Sequence, residues 1–378
     1  MVKSGGLFFA TATLIMALVI WGNPIPKVAS LFLPTPPTPL TANSMAQSAA
    51  LDLSVDAANL MAHVEALSTP RTSLEQKSAA RQYIIEQLAQ YNLSATQQPY
   101  GTGTTGGVNI VVDITASNGS GSNSLSSHSS SSNIADGEAE NDTASGVAAG
   151  SIILGAHYDT ERNSPGADDN GSGIATLLEA ARIFSSQLTA LSSASASAIP
   201  RNLKLVFFDQ EERQPNGSGL LGSLAFTEEA ANLSGVKGAI ILDMVGYACR
   251  TPGCQTYPTQ LPLSDVPDSG DFLAILGLQN HTDLMGAFML SAQTTWPTVL
   301  TLPIPGPMLK LFPDLLRSDH APFWEKGIPA VLVSDTANFR NPNYHTPQDT
   351  PETLDSSFFR GSAQHVVNAI AALLYQTN

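Results

Sequence analysis

Five short apolar runs are the feature that most limits how this chain folds. They read VNIVVDI, SIILGAHYD, NLKLVFFDQ, GAIILDMVG and PAVLVSDT. Each is rich in Val, Ile, Leu or Phe without strict alternation, which is typical of strands buried on both faces of a sheet. Helical stretches such as GSGIATLLEAARIFSSQL lie between them. This alternation predicts an α/β fold, a three-layer sandwich with a mixed, mostly parallel central sheet flanked by helices.

The start of the chain differs in composition from the rest. An apolar run ends near Trp21, and two interpretations fit residues 1–22: a cleaved signal peptide or a retained membrane anchor. Residues 23–50 are rich in proline and predict an extended linker. Both interpretations predict export, to the periplasm, the cell exterior or the outer face of the membrane.

Residues 51–378 contain the predicted strands and helices, and we interpret them as one domain with two insertions. The segment 116–150 contains SNGSGSNSLSSHSSSSN and almost no large apolar residue. It cannot bury enough apolar surface to become ordered, so we predict a disordered insertion. The segment 250–314 is rich in proline and leucine and is long enough to form a cap-like insertion over a site.

Net charge bears on the possible partners of the chain, and its cysteines bear on a possible disulfide. The formal net charge of −15 would repel a phosphate backbone, so we expect no nucleic-acid partner. The two cysteines, Cys249 and Cys254, lie in CRTPGC. Export favours a disulfide between them, with two free thiols as the alternative.

Acidic and histidine residues stand where several apolar runs end. His157 and Asp159 close the second run, Glu211 and Glu212 follow the third, and Asp243 lies in the fourth. The carboxyl ends of parallel strands share one edge of a sheet, so these groups should converge. Crowded carboxylates repel one another unless a divalent cation binds them. One imidazole with several carboxylates suits zinc, with manganese or cobalt as substitutes.

Two further segments complete the predicted metal site. A two-metal site needs one shared carboxylate, and the loop GADDNGSG offers Asp168 and Asp169 for that role. The segment NPNYHTPQDT supplies a second imidazole, His345. Of the tandem glutamates Glu211 and Glu212, one can bind a metal ion while its neighbour transfers protons.

Four sequence blocks resemble those of a known family. In order, they are GAHYDT…PGADDNGSG, FFDQEE, ILDMVGY and SDHAPFWEKGIPAVLVSD…YHTPQDT. This set is similar to peptidase family M28, the co-catalytic di-zinc peptidases, most of which are aminopeptidases. The resemblance implies that one zinc is bound by His157 and Asp243. It implies that Glu212 and His345 bind the other zinc and that Asp169 bridges the two.

The resemblance also implies roles beside the metals. Glu211 would be the general base, and Asp159 would orient the imidazole of His157. The peptide bond between Asp169 and Asn170 would be cis.

Two departures from the family pattern bear on function. FFDQEE and SDHAPF also resemble the glutaminyl cyclase branch, which keeps a single zinc, although that branch loses the ADDNGSG pattern present here. Some family peptidases place an oxyanion-binding tyrosine shortly before the SDH block, where this chain has Leu315. Tyr247, Tyr344 or the metals themselves would then take that role.

The sequence thus predicts an exported zinc aminopeptidase with two zinc ions per chain, acting on the N-termini of peptides or proteins. The alternatives are a single-zinc glutaminyl-peptide cyclotransferase, a carboxypeptidase and a non-catalytic peptidase-like ectodomain. The N-terminal segment is a candidate for membrane attachment. Of the remaining histidines, His281 and His365 are predicted on helix surfaces, and His320 either makes a structural hydrogen bond or contacts substrate.

Overall fold

The computed structural model describes residues 52–115, 150–192, 201–258, 266–292 and 295–374. The predicted leader and linker, residues 1–50, and residues 116–149 of the predicted disordered insertion lie outside these ranges, so those expectations stay predictions. No helix among the described residues combines the length and apolarity that a membrane span requires.

A mixed sheet forms the centre of the described chain. Its strands are β1 (Thr96–Tyr100), β2 (Gly107–Ile114), β3 (Ser151–His157), β4 (Asn202–Phe208), β5 (Val236–Leu242), β6 (Phe272–Leu278), β7 (Thr298–Ile304) and β8 (Ala330–Ser334). Across the sheet the order is β1-β2-β4-β3-β5-β8-β6-β7. The four central strands β4, β3, β5 and β8 are parallel to one another, and β6 is parallel to β7. The pairs β1–β2, β2–β4 and β6–β8 are antiparallel.

Helices cover both faces of this sheet. They are α1 (Ala57–Leu67), α2 (Leu74–Gln90), α3 (Gly173–Ser192), α4 (Leu221–Glu228), α5 (Ala230–Leu233), α6 (Thr282–Ser291), α7 (Ala321–Glu325) and α8 (Ser356–Leu374). Helix α2 begins with a capping box: the Ser73 hydroxyl accepts from the Gln76 N–H, and the Gln76 side chain accepts from the Ser73 N–H. The predicted three-layer α/β sandwich is confirmed.

Alternate residues of each central strand enter different cores. Ile152 and Leu154 pack with Leu177 of α3 on one face, while Ile153 packs with Phe226 of α4 on the other. Successive side chains of a strand point to opposite faces, and here both faces are covered. This explains why the five apolar runs show no polar alternation.

The segment 250–314, expected to form a cap-like insertion, instead contributes β6, α6 and β7 to the sandwich. Strand β6 pairs with β8, and β7 forms the edge of the sheet beyond it. The edge strand β7 is only half-buried and contains Pro303, which is tolerated at edges and weakens the strand signal. Just before β6, Cys249 and Cys254 form the disulfide that export favoured, and Cys249 pairs with Gly270 through backbone hydrogen bonds.

Candidate metal centre

The side chains predicted as metal ligands meet at the carboxyl edge of the central strands. His157 is the last residue of β3, and Asp243 directly follows β5. Glu212 lies in the loop after β4, and His345 lies in the loop after β8. Parallel strands all end at this edge, so residues distant in sequence become neighbours.

Asp169 stands between the two imidazoles. Its Oδ1 lies 3.4 Å from Nε2 of His157, and its Oδ2 lies 3.1 Å from Nε2 of His345. The side chain is buried. A carboxylate that directs one oxygen to each of two ligand groups has the arrangement that a two-metal site requires of its shared ligand.

Two clusters of ligand atoms lie on either side of Asp169. On one side, His157 Nε2 is 3.8 Å from Oδ1 of Asp243 and 4.0 Å from Oε2 of Glu211. On the other side, His345 Nε2 is 3.3 Å from Oε2 of Glu212. The buried Oε1 of Glu212 has no hydrogen-bond partner among the described residues. Imidazoles, carboxylates and an unpartnered buried oxygen form a donor set that fits zinc.

Asp159 holds the loop that carries both glutamates. Its Oδ1 accepts the backbone N–H of Glu211 at 3.0 Å, and its Oδ2 accepts that of Glu212 at 3.2 Å. The same Oδ1 lies 3.5 Å from Nδ1 of His157. Asp159 therefore links the first imidazole to the glutamate pair, which is more than the orienting contact expected of it.

Asp349, which the sequence interpretation did not single out, holds the neighbouring loop in the same way. Its two carboxylate oxygens accept the backbone N–H groups of Asp168 at 2.9 Å and Asp169 at 3.0 Å. Burial and the nearby charge of Asp168 raise the pKa of Asp349 to about 7. The only signal in the sequence is an aspartate shortly after His345 in HTPQDT.

The contacts of Asp168 and Asp169 distinguish which of these two candidate bridging aspartates faces the imidazoles. Asp168 turns away from both imidazoles: its Oδ1 accepts the N–H of Gly246 at 2.9 Å, and its Oδ2 accepts from the Asn341 side chain at 3.0 Å. Burial, followed by the adjacent Asp335 carboxylate, holds the pKa of Asp168 well above its usual range. Of the pair, Asp169 alone faces the candidate ligands.

The backbone around Asp169 is fixed by its neighbours. The peptide bond between Asp169 and Asn170 is cis, as the family resemblance implies. The Asn170 side chain donates to the Leu242 carbonyl at 2.7 Å and accepts the Met244 N–H at 3.2 Å, which joins this loop to the end of β5. Gly166 has a φ of 65°, and a Cβ there would collide with the Asp169 carbonyl oxygen.

A buried arginine lies beneath the site. The Arg71 guanidinium donates to the carbonyl oxygens of Tyr158 at 2.6 Å, Pro165 at 3.0 Å and Gly166 at 3.0 Å. It thereby ties together the two ends of the loop that follows β3. Burial lowers the pKa of Arg71 to about 10, although nearby carboxylates, Asp159 first among them, favour the charged form. The guanidinium therefore stays charged at neutral pH.

Burial and mutual charge shift the pKa values of the candidate ligands. Burial raises the pKa of Glu211 well above its usual range, and burial with the charge of Asp169 raises that of Glu212 to about 7. Although burial opposes the charged imidazole, the Asp169 and Glu212 carboxylates raise the pKa of His345 to about 10. Burial likewise opposes the charged form of His157, but its pKa is raised well above the usual value by nearby carboxylates, Glu211 foremost. Such strongly perturbed groups in one crevice indicate a functional site.

Comparison with known proteins places the chain in a family. The model described as "Peptidase family M28" matches residues 149–266 and 308–371. The Escherichia coli (strain K12) "Uncharacterized protein YfbL" is 36% identical over 239 residues, which cover 60% of this chain and 67% of that protein. The chain belongs to peptidase family M28. The resemblance inferred from the four sequence blocks is thereby confirmed.

Other relatives have names that state an activity. Leucine aminopeptidase 1 of Trichophyton equinum is 27% identical over 231 residues, 59% of this chain and 54% of that protein. The chain thus spans about half the length of the leucine aminopeptidases it matches. The family is described as one of peptidases, and these relatives are named as aminopeptidases.

Solved structures support the fold of this M28 chain. The Legionella pneumophila LapA aminopeptidase superposes with a TM-score of 0.60 at 18% identity, over 92% of this chain and 80% of that one. A Porphyromonas gingivalis glutaminyl cyclase superposes with a TM-score of 0.52 at 18% identity, over 84% of this chain and 98% of that one. At these identities the likeness establishes the shared fold.

A tyrosine and an arginine border the second imidazole of this M28 chain. The Tyr344 ring stacks on His345 with a centroid distance of 3.6 Å and an interplanar angle of 20°. Its hydroxyl accepts a hydrogen bond from Nη2 of Arg317 at 2.9 Å. Leu315, which stands about where the family resemblance would place a tyrosine, is buried, and its carbonyl accepts from His320 Nε2 at 2.9 Å.

The remaining histidines and Asp209 have structural surroundings. His320 packs edge-on against Trp324, and burial lowers its pKa to about 4, which favours the structural interpretation.

The predictions of surface positions for His281 and His365 are wrong, since both are buried. His365 lies between two helices and a loop, where its ring nitrogens contact the Ser291 hydroxyl at 2.7 Å and the Pro297 carbonyl at 2.6 Å. Asp209 turns away from the site and pairs with Lys77.

Proposed function

We propose that the chain is a zinc-dependent aminopeptidase that hydrolyses N-terminal peptide bonds of peptides or proteins. The observation that carries the proposal is the Asp169 carboxylate, with Oδ1 3.4 Å from His157 Nε2 and Oδ2 3.1 Å from His345 Nε2. Membership of peptidase family M28 and the curated leucine aminopeptidase relatives support an exopeptidase that acts at the N-terminus.

The ligand set that we propose follows the two clusters. His157 and Asp243 would hold one zinc ion, Glu212 and His345 would hold the second, and Asp169 would be shared. The second cluster offers the unpartnered Oε1 of Glu212 as an additional donor. Catalytic zinc sites have three protein ligands and keep a position open for substrate or water, which matches this number of residues on each side.

Glu211 is the proposed general base. When bound, two zinc ions supply polarisation of the scissile carbonyl and lower the pKa of a water molecule toward about 7. Burial first of all raises the pKa of Glu211 well above its usual range, and a raised pKa favours a carboxylate that accepts a proton and returns it to the leaving amine. Asp159 fixes the Glu211 backbone at 3.0 Å and so sets where that carboxylate can point.

Tyr344 is the proposed hydrogen-bond donor to the developing oxyanion. Arg317 donates to the phenolic oxygen, which leaves the Tyr344 hydroxyl hydrogen available to a substrate oxygen. Burial and the charge of Asp169 raise the pKa of Tyr344, so the phenol stays protonated. The backbone N–H of Tyr247, the other candidate, donates to Oδ2 of Asp335 at 2.9 Å, and burial, followed by the charges of Asp335 and Asp168, raises the pKa of its phenol.

The activity is tested on purified zinc-loaded protein with a panel of aminoacyl p-nitroanilides, glutaminyl peptides and C-terminally extended peptides. We expect hydrolysis of the anilides, its loss on treatment with a chelator and its recovery with two equivalents of zinc. Cyclisation of glutaminyl peptides without anilide hydrolysis, or release of C-terminal residues, would contradict the proposal.

The glutaminyl cyclase alternative rests on the shared fold with the Porphyromonas gingivalis enzyme. A single-zinc enzyme has no need of a carboxylate placed between two imidazoles, which this chain has in Asp169. Zinc stoichiometry separates the two functions, because one zinc per chain at full activity favours cyclisation. The same measurement tests the ectodomain alternative, in which neither zinc nor turnover is expected.

We further propose that the chain is exported and that its N-terminal segment is a signal peptide or a membrane anchor. The disulfide between Cys249 and Cys254 supports an oxidising compartment. Cell fractionation with antibody detection tests this proposal, and recovery of the full-length chain in the cytoplasm with both thiols reduced would contradict it. N-terminal sequencing of the exported protein distinguishes the cleaved signal from the anchor.

A further inference from the structure

A third carboxylate lies on the His345 side of the site. Glu161 belongs to the loop that follows β3, and ligand atoms of Glu161, Glu212 and His345 lie within 4.8 Å of one another. Glu161 is partly exposed, whereas Glu212 is buried. Neither the sequence motifs nor the proposed ligand set uses Glu161.

The backbone of Glu161 is fixed even though its side chain reaches solvent. The preceding Thr160 is buried, and its hydroxyl accepts the backbone N–H of Arg71 at 2.9 Å. The Glu161 carbonyl accepts the N–H of Ser164 at 3.1 Å. Within the described parts of the chain, no hydrogen bond or ion pair engages the Glu161 carboxylate. The carboxylate is therefore held at the rim of the site and is free to bind a ligand.

The neighbouring Glu212 gives an independent indication of what that ligand is. Its Oε1 is buried without a hydrogen-bond partner among the described residues, while its Oε2 faces His345 at 3.3 Å. A buried, unpartnered carboxylate oxygen requires a cation or a donor. In the proposed ligand set one zinc ion would be held by His345, Glu212 and Asp169, so a fourth protein ligand would close the position that catalysis needs. Glu161 remains available for a second positive group.

We propose that Glu161 binds the α-ammonium group of the substrate and thereby restricts the enzyme to chains with a free N-terminus. This inference rests on the proposed aminopeptidase function and adds the residue that recognises the free amine. A carboxylate and an ammonium form a charge-assisted hydrogen bond, which is about twice as strong as a neutral one. The rim position lets Glu161 stay hydrated until the substrate amine replaces water.

The first test compares kinetics of Glu161→Gln with the wild type on leucyl p-nitroanilide. Glutamine keeps the size of the side chain but removes its charge. We expect KM to rise about 10-fold or more, the range set by hydrogen bonds to charged groups, while kcat changes by less than about threefold. Glu65→Gln, on the exposed surface of α1, is the matched control and should leave both constants unchanged. An unchanged KM in Glu161→Gln overturns the inference.

The second test measures binding without turnover. Calorimetry compares L-leucinamide with 4-methylpentanamide, which lacks only the α-amine, on zinc-loaded wild type and on Glu161→Gln. We expect the wild type to bind leucinamide more tightly than 4-methylpentanamide. In Glu161→Gln the ratio of the two dissociation constants should fall at least about tenfold. Glu161→Asp, which keeps the charge on a shorter side chain, should recover part of it. Equal preferences in all three proteins overturn the inference.

Measurement of zinc affinity distinguishes this inference from the alternative that Glu161 is a metal ligand. If Glu161 is itself a metal ligand, Glu161→Gln will lose about tenfold or more in zinc affinity, and excess zinc will restore its KM; that result overturns the inference. We expect zinc affinity within about twofold of the wild type. If the wild type prefers leucinamide through Glu161 but cleaves no anilide, the proposed function fails while the recognition of the amine stands.

Discussion

The backbone N–H of Asp169 donates to Oδ2 of Asp349 at 3.0 Å, across 180 positions of sequence. The residue that faces both imidazoles is thus held by a carboxylate from the loop that also carries His345. Oδ1 of Asp349 accepts the adjacent N–H of Asp168, so both oxygens are needed to fix the loop. The position of Asp169, the proposed shared ligand, therefore depends on a carboxylate whose two oxygens are both engaged with backbone N–H groups.

Asp349→Asn should weaken zinc binding. An amide offers one acceptor oxygen where two N–H groups require two, so the loop of Asp169 loses part of its support. Removal of groups that orient metal ligands costs about 10–100-fold in metal affinity, and we expect a loss in that range in a competition titration with a chelating dye. Asp113→Asn, at an exposed carboxylate that pairs with Lys204, is the control. Unchanged affinity in Asp349→Asn would show that the loop is fixed without it.

Glu211→Gln should lower kcat by about 10²–10⁴-fold, the usual contribution of a general base, while two zinc ions stay bound. The comparison with Glu212→Gln is informative, because that variant should lose zinc. Glu211 Oε2 lies 4.0 Å from His157 Nε2, close enough that zinc content must be measured with the kinetics. A one-zinc Glu211→Gln protein would make Glu211 a ligand and leave the base unassigned.

Tyr344→Phe should lower kcat by about 10²–10³-fold, the cost of removing one oxyanion donor. Phenylalanine keeps the ring that stacks on His345, so zinc content should not change. Tyr247→Phe serves as the matched control, and its kcat should stay near that of the wild type. Equal losses in the two variants would point to a general effect on the site rather than to a hydroxyl donor.

Zinc affinity should increase with pH across the neutral range. Without a bound cation, the carboxylates around the imidazoles raise the pKa of His345 to about 10 and that of His157 well above 6.5, so both imidazoles are protonated at pH 7. Zinc binds the neutral imidazole, so binding must release these protons and becomes easier as the pH rises toward 10. Calorimetry in buffers of low and high ionisation enthalpy measures the release. Binding without proton release would contradict the pKa directions.

Lys77→Met should destabilise the fold by about 3–5 kcal/mol, because it leaves a buried carboxylate without its partner. Lys77 Nζ lies 2.8 Å from Asp209 Oδ1, and both side chains are buried. Lys204→Met, which breaks the partly exposed pair with Asp113, should cost less than about 1 kcal/mol. Urea unfolding of both variants compares the two free energies. Equal costs would mean that Arg81, 3.9 Å away, suffices for Asp209.

The central strands were predictable because burial on both faces leaves continuous apolar runs. All five runs form strands, and they are β2, β3, β4, β5 and β8. The outer strands were missed for the opposite reason: β1 reads TQQPY and lies at an exposed edge, where polar residues and proline are tolerated. Strand β6, although apolar, lies within a proline-rich stretch whose composition suggested a cap.

The candidate ligands were predictable because their types and order match family motifs, and the structure brings them to one edge of the sheet. Their individual roles stay proposals. The supporting residues could not be foreseen, since Asp349 and Arg71 act through backbone groups far away in sequence. Glu161 likewise becomes a candidate site residue only through its proximity to His345 in the structure. Such contacts leave no periodic or local trace in a single sequence.

The order of the candidate ligands along the chain has a consequence for biosynthesis. Residues of both clusters follow β3, β4 and β5, yet the second imidazole and the carboxylate that supports Asp169 come only after β8. A polypeptide that leaves the ribosome N-terminus first lacks His345 until β3, β4, β5 and β8 have all been translated. Under the proposed ligand set, complete zinc binding has to wait for the residues after β8, and a chain that ends before them would lack part of that set.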